Sequence, residues 1–175
     1  MEDEIDRIVQ QWNRVRPELD VSPTHVLQRI TRLGLLQGTS FGRVFARHGL
    51  SWGEYLVLAA LRRTGPPYQM SPTTLYGAVI LSSGGMTKRL DRLEDAGLVE
   101  RLPDPDDRRG RLVALTSNGL ELVDRAVSDH LANEQHLLSV LSTSERRVLS
   151  DLLRKLLTSE PFRKIDPAGQ GGAPS

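Results

Sequence analysis

The chain of 175 residues contains no cysteine. Disulfides, cysteine-ligated zinc, iron–sulfur clusters and thiol-based redox sensing are therefore excluded. Aromatic residues make up only 5% of the sequence, so a core has to be built mainly from Leu, Val and Ala, which suits helices. Neither sign of charge dominates. Lys and Arg total 23 against 22 Asp and Glu, a net charge of +1, too close to neutral to announce a nucleic-acid partner by composition. No apolar run approaches the length of a membrane span. The N-terminus opens with Glu2, Asp3 and Glu4, unlike a signal peptide. A soluble cytoplasmic protein is the expectation. His25, His48, His130 and His136 have no metal-ligand spacing. There is no G-x-S-x-G, and the run Gly84-Gly85-Met86-Thr87-Lys88 lacks the spacing of a phosphate-binding loop. The expectation is a protein that is not an enzyme and carries no metal or cofactor.

What is present is a structured stretch from Ser71 to Thr116. Ser71 can cap a helix whose first position, Pro72, needs no N–H. A second helix is expected from Ser82 or Ser83 to Gly97, a residue suited to the left-handed position past a helix end. Leu98–Arg101 and Arg111–Leu115 read as strands around a Pro/Asp/Gly-rich loop, with Gln69-Met70 as a short third strand. Helix, turn, helix and hairpin in that order make a winged helix. The second helix then fits the DNA major groove and the wing reaches along the backbone.

At 100° per residue, Met86, Leu90 and Leu93 fall on one side of the second helix and point inward. Lys88 and Arg92 lie on or near the opposite side beside Gly84, and Thr87 flanks the helix start. Ser83, Thr87, Lys88 and Arg92 are types that meet base edges and phosphates. Ser71, Thr73 and Thr74 at the start of the first helix join them as candidate DNA contacts. The competing reading is an ordinary amphipathic helix with a solvated charged face. Between Met86 and Arg111 seven cations face seven acids, so any DNA binding depends on where the cations point. Asp91, Glu94 and Asp95 have to turn away from phosphate or lie too far along the helix to meet it. The wing tip runs from Pro103 to Arg111. It is either a solvated turn or a finger that offers Arg108 or Arg109, with Arg111, to a narrow minor groove. In the second case Asp106 or Asp107 would hold the arginine by a charge-assisted bond.

Around this stretch the chain reads as helical. Ile5, Ile8, Val9, Trp12 and Val15 form an amphipathic stripe, on which Trp12 is most simply a packing residue. A long helix is expected from Ser22-Pro23 to about His48. Its Gly34, Gly38 and Gly42 would allow close approach of another helix. Ser51 and Glu54 make a capping box for the next helix, with Tyr55, Leu58 and Leu61 on one face. Thr116 starts a helix to about Val140 with the stripe Leu120, Val123, Val127, Leu131 and Leu138. Ser142 or Ser144 starts the last helix, with Val148, Leu149, Leu152, Leu153, Leu156 and Leu157 as an apolar seam. The expected divisions are N-terminal helices at 1–48, which serve dimerisation and a ligand pocket, and a winged helix-turn-helix at 49–118. C-terminal dimerisation helices at 119–160 and a disordered tail at 161–175 complete the chain. The fold class is mostly α with a small antiparallel hairpin wing and a helical dimerisation region. The outer helices hold more apolar surface than one winged helix can cover. A two-fold dimer would bury it; a monomer with these helices packed on each other is the alternative.

The run RLEDAGLVERLPDPDDRRGRLVALTSNG, residues 92–119, resembles the MarR family of transcriptional regulators. The shared features are Gly97-Leu98-Val99, Asp107-Arg108-Arg109 and Leu115-Thr116-Ser117-Asn118-Gly119, in order and at family spacing. The resemblance covers roughly Pro23 to Leu157. It implies a homodimer joined through N- and C-terminal helices and bound to a pseudo-palindromic DNA operator, acting as a repressor. It also implies release by a small phenolic or anionic aromatic effector. The extra first helix with its tryptophan is similar to the urate-responsive branch, which implies ligand-binding roles for Trp12, Arg89 and Arg101. The aspartate that branch uses falls at Leu56, a departure that removes an acceptor. By angle Arg89 flanks the buried stripe, so it needs a partner: a ligand carboxylate, or a nearby acid. The rival class is a winged helix used for protein contacts without sequence-specific DNA binding.

Overall fold

The computed structural model describes residues 2–79 and 85–165. Its elements are α1 (Glu4–Val15), α2 (Ser22–Ala46), α3 (Trp52–Arg63), β1 (Gln69–Met70), α4 (Pro72–Ala78), α5 (Met86–Asp95), β2 (Val99–Pro103), β3 (Arg111–Leu115), α6 (Ser117–Leu137), α7 (Thr143–Leu157) and α8 (Glu160–Ile165). The strands form one antiparallel sheet in the order β1-β3-β2, so the short third strand pairs on the far side of β3. Val99 opposes Leu115 and Pro103 opposes Arg111, while Gln69 opposes Ala114. Among the described residues no helix is long and apolar enough to cross a membrane.

The chain divides into two compact units, one up to Arg43 and one from Val44 onward. In the first, Asp3 caps α1 through a capping box with Asp6. Arg29 of α2 donates to Asp3 at 2.8 Å and to Asp6 at 2.7 Å, which ties the first turn of α1 to α2. Ile5 and Val9 are buried, but Trp12 is 46% exposed. The reading of Trp12 as a packing residue is thus corrected for the single chain: the stripe is buried only near the turn that Arg29 anchors. Gly34, Gly38 and Gly42 have open space where a side chain would stand, so no described helix of their own unit uses them for close approach.

The second unit holds the winged helix. Val57, Leu58, Leu61, Leu75, Leu93, Val113 and Val123 make its core, drawn from α3, α4, α5, β3 and α6. Thr116 caps α6 through Gly119 N–H at 3.0 Å, and its hydroxyl donates to the Gly97 carbonyl at 2.7 Å. A Cβ at Gly119 would lie 1.9 Å from the Leu98 carbonyl oxygen, so only glycine lets α6 rest on the chain leaving α5. That contact sets the rotation of α6. Its inward face is Gly119, Val123, Ala126 and His130. The expected stripe through Leu131 and Leu138 is therefore corrected, because both are exposed.

Ser142 caps α7 with Glu145, which settles the choice against Ser144. Residues 161–165, expected to be disordered, are helical in α8. Pro161 sits in the first turn, where its missing N–H costs nothing, and Lys164 pairs with Glu160 at 2.6 Å. The rest of the expected tail, 166–175, lies outside the described residues.

Candidate nucleic-acid interface

Helix α4 begins as its sequence dictates. The Ser71 hydroxyl accepts from Thr74 N–H at 3.1 Å and shares a hydrogen bond with the Thr74 hydroxyl at 2.9 Å. Two of the three candidates here are thus already partly engaged with each other, and Thr73 stands exposed. Ser83 and Gly84, named as contacts, lie outside the described residues.

Helix α5 starts at Met86, later than the expected Ser82 or Ser83. Its N-cap is Gly85 at φ 91°, a left-handed conformation through which an α-helix does not run. Met86, Leu90 and Leu93 are buried as the periodicity predicts. Thr87 and Lys88 are exposed. Arg92 is 64% exposed by side chain, yet its Nε lies 3.2 Å from Oε1 of Glu54, a carboxylate only 4% exposed. Arg89 is half-buried and crosses the start of α3: a Cβ at Gly53 would sit 2.5 Å from the Arg89 Nε. Ser51, Glu54, Gly85, Lys88, Arg89 and Arg92 together line a cavity of ≈ 190 Å³. Sequence reasoning gave Glu54 a capping role alone and passed over Gly53. A glycine in the first turn of a helix, with no turn to explain it, was the available signal.

The acids of α5 have a definite destination. Arg101 on β2 donates to Asp91 at 2.6 Å and to Glu94 at 2.5 Å. The hydrogen bond to Asp91 leads the effects that hold its guanidinium above the usual arginine range. Of the three ligand candidates, Arg89 and Arg101 therefore lie against different groups, Arg89 over Gly53 and Arg101 on two carboxylates. Trp12 belongs to the first unit and is exposed there. Leu56 is half-buried and offers no acceptor.

The wing is shaped by its aspartates. Asp104 accepts from Asp106 N–H at 3.0 Å, and Asp107 accepts from Arg109 N–H at 2.9 Å. Asp107 therefore bonds the backbone of Arg109 and not its guanidinium, which corrects the expected ion pair: an Asx turn satisfies the carboxylate locally. A Cβ at Gly110 would come within 2.8 Å of the Asp104 Cβ, so this turn too selects glycine. Arg108, Arg109 and Arg111 are exposed, and among the described residues Arg108 and Arg109 make no ion pair. The seven cations thus divide. Arg89, Arg92 and Arg101 rest on protein groups, while Lys88, Arg108, Arg109 and Arg111 face outward.

Residues 50–110, which run from the start of α3 to the wing tip, match the model of the MarR family. The HTH-type transcriptional regulator PecS of Dickeya dadantii is 40% identical over 153 residues, 87% of this chain and 92% of PecS. The chain belongs to the MarR family. As a MarR-type chain it is a DNA-binding transcriptional regulator, and its relatives are regulators, not enzymes. A mutant MarR from Escherichia coli complexed with operator DNA is similar in structure, with a TM-score of 0.67 at 26% identity, covering 83% of this chain and 97% of that one. The Bordetella bronchiseptica regulator BpsR, whose DNA binding is regulated by 6-hydroxynicotinic acid, gives 0.68 at 27% identity over 77% and 94%. The winged helix-turn-helix architecture is common to these MarR-type proteins and this one.

Proposed function

We propose that this protein is a homodimeric repressor that binds a pseudo-palindromic operator and is released by a small anionic aromatic effector. The observation that carries the DNA-binding geometry is the outward set on α5 and the wing, Thr87, Lys88, Arg108, Arg109 and Arg111, on a buried apolar backing. In this reading Arg92 joins α5's contacts, Ser71, Thr73 and Thr74 contribute from the start of α4, and Ser83 and Gly84 are further contacts. Support for the dimer comes from exposed apolar side chains within each unit. Leu27, Ile30, Leu33 and Leu36 stand out on α2, and Val148, Leu149, Leu152 and Leu157 on α7. Burying these faces against a second copy returns about 25 cal/mol per Å² of apolar surface. It would also set two recognition helices roughly one DNA turn, about 34 Å, apart. Relatives lend support, since MarR of Escherichia coli has been captured on operator DNA.

The effector reading rests on resemblance and on Arg89. Trp12, Arg89 and Arg101 match the urate-responsive branch, while Leu56 removes its acceptor, so a phenolic acid is as suitable a candidate as urate. BpsR offers a parallel in an anionic aromatic ring. Calorimetry with urate and phenolic acids on wild type and Arg89→Ala tests it. Equal affinities in both proteins would remove Arg89 from the site. For the DNA reading, selection from a random duplex library followed by footprinting upstream of the protein's own gene is the decisive experiment. Enrichment of an inverted repeat is the expected result. Retention of no duplex over competitor would leave a winged helix that serves protein contacts.

A further inference from the structure

Glu54 is the one acidic side chain that is buried among the described residues. Burying a carboxylate is costly unless its oxygens are satisfied. Capping α3 does not require the burial, as α7 demonstrates. There Glu145 accepts from Ser142 N–H at 2.8 Å and from the Ser142 hydroxyl at 2.6 Å while exposed to solvent. Glu54 makes the same pair of bonds to Ser51, both at 2.7 Å. In both boxes one oxygen, Oε2, does the capping. The difference is Oε1 of Glu54, which lies 3.2 Å from Arg92 Nε on α5.

We propose that Glu54 is a positioning residue for DNA binding: Oε2 caps α3 while Oε1 fixes the Arg92 guanidinium so that its two terminal nitrogens face a DNA phosphate. A guanidinium is a planar fork, so holding Nε defines where the remaining N–H groups point. Arg92 is 64% exposed by side chain, so most of it is accessible from outside. An arginine loses side-chain freedom when ordered, and a side chain ordered in the free protein has less of it to lose on binding. Glu54 is itself held by Ser51, so the restraint runs from the start of α3 to the recognition helix. The proposal rests on the assignment of Arg92 to the DNA contact made above.

The test is a double-mutant cycle of E54Q, R92Q and the double variant. Binding is measured by fluorescence anisotropy on the selected operator and on random duplex, at several salt concentrations. Glutamine keeps a capping oxygen and removes the charge. Positioning predicts that E54Q loses about five- to tenfold on the operator and a similar factor on random duplex, because a phosphate contact carries no sequence information, and that the double variant binds no more weakly than R92Q. E145Q, the matched change in the α7 cap, is expected to bind like wild type, which separates positioning from capping. Thermal melts by circular dichroism confirm that each variant is folded. Two results overturn the proposal. One is E54Q binding the operator as tightly as wild type or tighter, which would make Glu54 a neutral support or a competitor of phosphate. The other is losses that add in the double variant. If R92Q leaves both affinity and salt slope unchanged, the assignment of Arg92 to DNA has failed instead.

Discussion

Arg101 stands 2.6 Å from Asp91 and 2.5 Å from Glu94, and that placement decides what two acids do on the helix proposed to face DNA. Bound to a guanidinium, they are neutralised and turned toward the base of the wing. Released, they would add two negative charges beside the DNA. Arg101→Gln is therefore expected to lower operator affinity by about tenfold or more, with Arg101→Lys intermediate, because an ammonium lacks the planar fork. Titration of operator DNA with each variant at fixed salt reads this directly; equal affinities would deny the role. Arg109 presents the opposite case, a cation with its backbone held by Asp107 and its side chain exposed. Arg109→Ala is expected to weaken operator binding at least tenfold, about 1.4 kcal/mol, in a gel-shift titration. The residue types and their number were legible in the sequence. Their division into supported and outward-facing cations was not, because the pairings of Arg92 with Glu54 and of Arg101 with Asp91 and Glu94 join different elements. Helical angle alone correctly placed Arg89 on the flank of the buried stripe, yet it did not reveal Gly53 beneath it.

Helices α3 and α6 meet over a cluster in which His130 lies 5.2 Å from the ring of Phe45, 5.3 Å from Tyr55 and 5.8 Å from Trp52. Burial holds the His130 imidazole below the usual histidine range, an effect that Glu134 partly opposes. The unfolded chain would take up a proton near about pH 6.5 that the folded state resists. The associated stability is therefore present above that value and lost as pH falls below it. The thermal midpoint is expected to drop between about pH 7.5 and about 5.5, and to drop less in His130→Phe. Asp3, Asp6 and Glu145 are held below the usual carboxylate range by hydrogen bonds, so their contributions are lost in a more acidic window. A second element-scale test concerns the seat of α6. Gly119→Ala would drive a methyl into the Leu98 carbonyl and is expected to destabilise the chain by about 3 kcal/mol or more, measured by urea unfolding. A shift under half that size would mean that α6 slides without cost. Capping signals set most helix starts correctly, since Ser51, Ser71 and Thr116 satisfy their helices through neighbours three residues away. The burial of α6 was harder to read. Two apolar stripes share that helix, and the choice between them depends on Gly119 meeting Leu98, a contact that periodicity does not carry.

At the scale of the whole molecule, the exposed apolar side chains mark what a single chain leaves unfinished. Leu149, Leu152 and Leu157 project from α7, and a groove beside them is lined by Leu138, Leu141, Leu149, Leu153 and Leu157 together with Arg146, Ser150 and Arg154. A contiguous face of this kind is a mark of an interface, whereas isolated exposed leucines would need no explanation. If a second copy covers it, a charge at its centre has to be desolvated on association at a cost of several kcal/mol (of that order). Leu152→Glu is therefore expected to yield a folded monomer in sedimentation velocity, because Leu152 contributes little to the buried core of its own chain. The same variant is expected to lose operator binding by about a hundredfold or more, since one recognition helix and one wing cannot draw on the second half-site. The two readouts together locate the interface. Monomer formation with wild-type affinity would show that a single winged helix suffices for the operator. An intact dimer would move the interface away from α7.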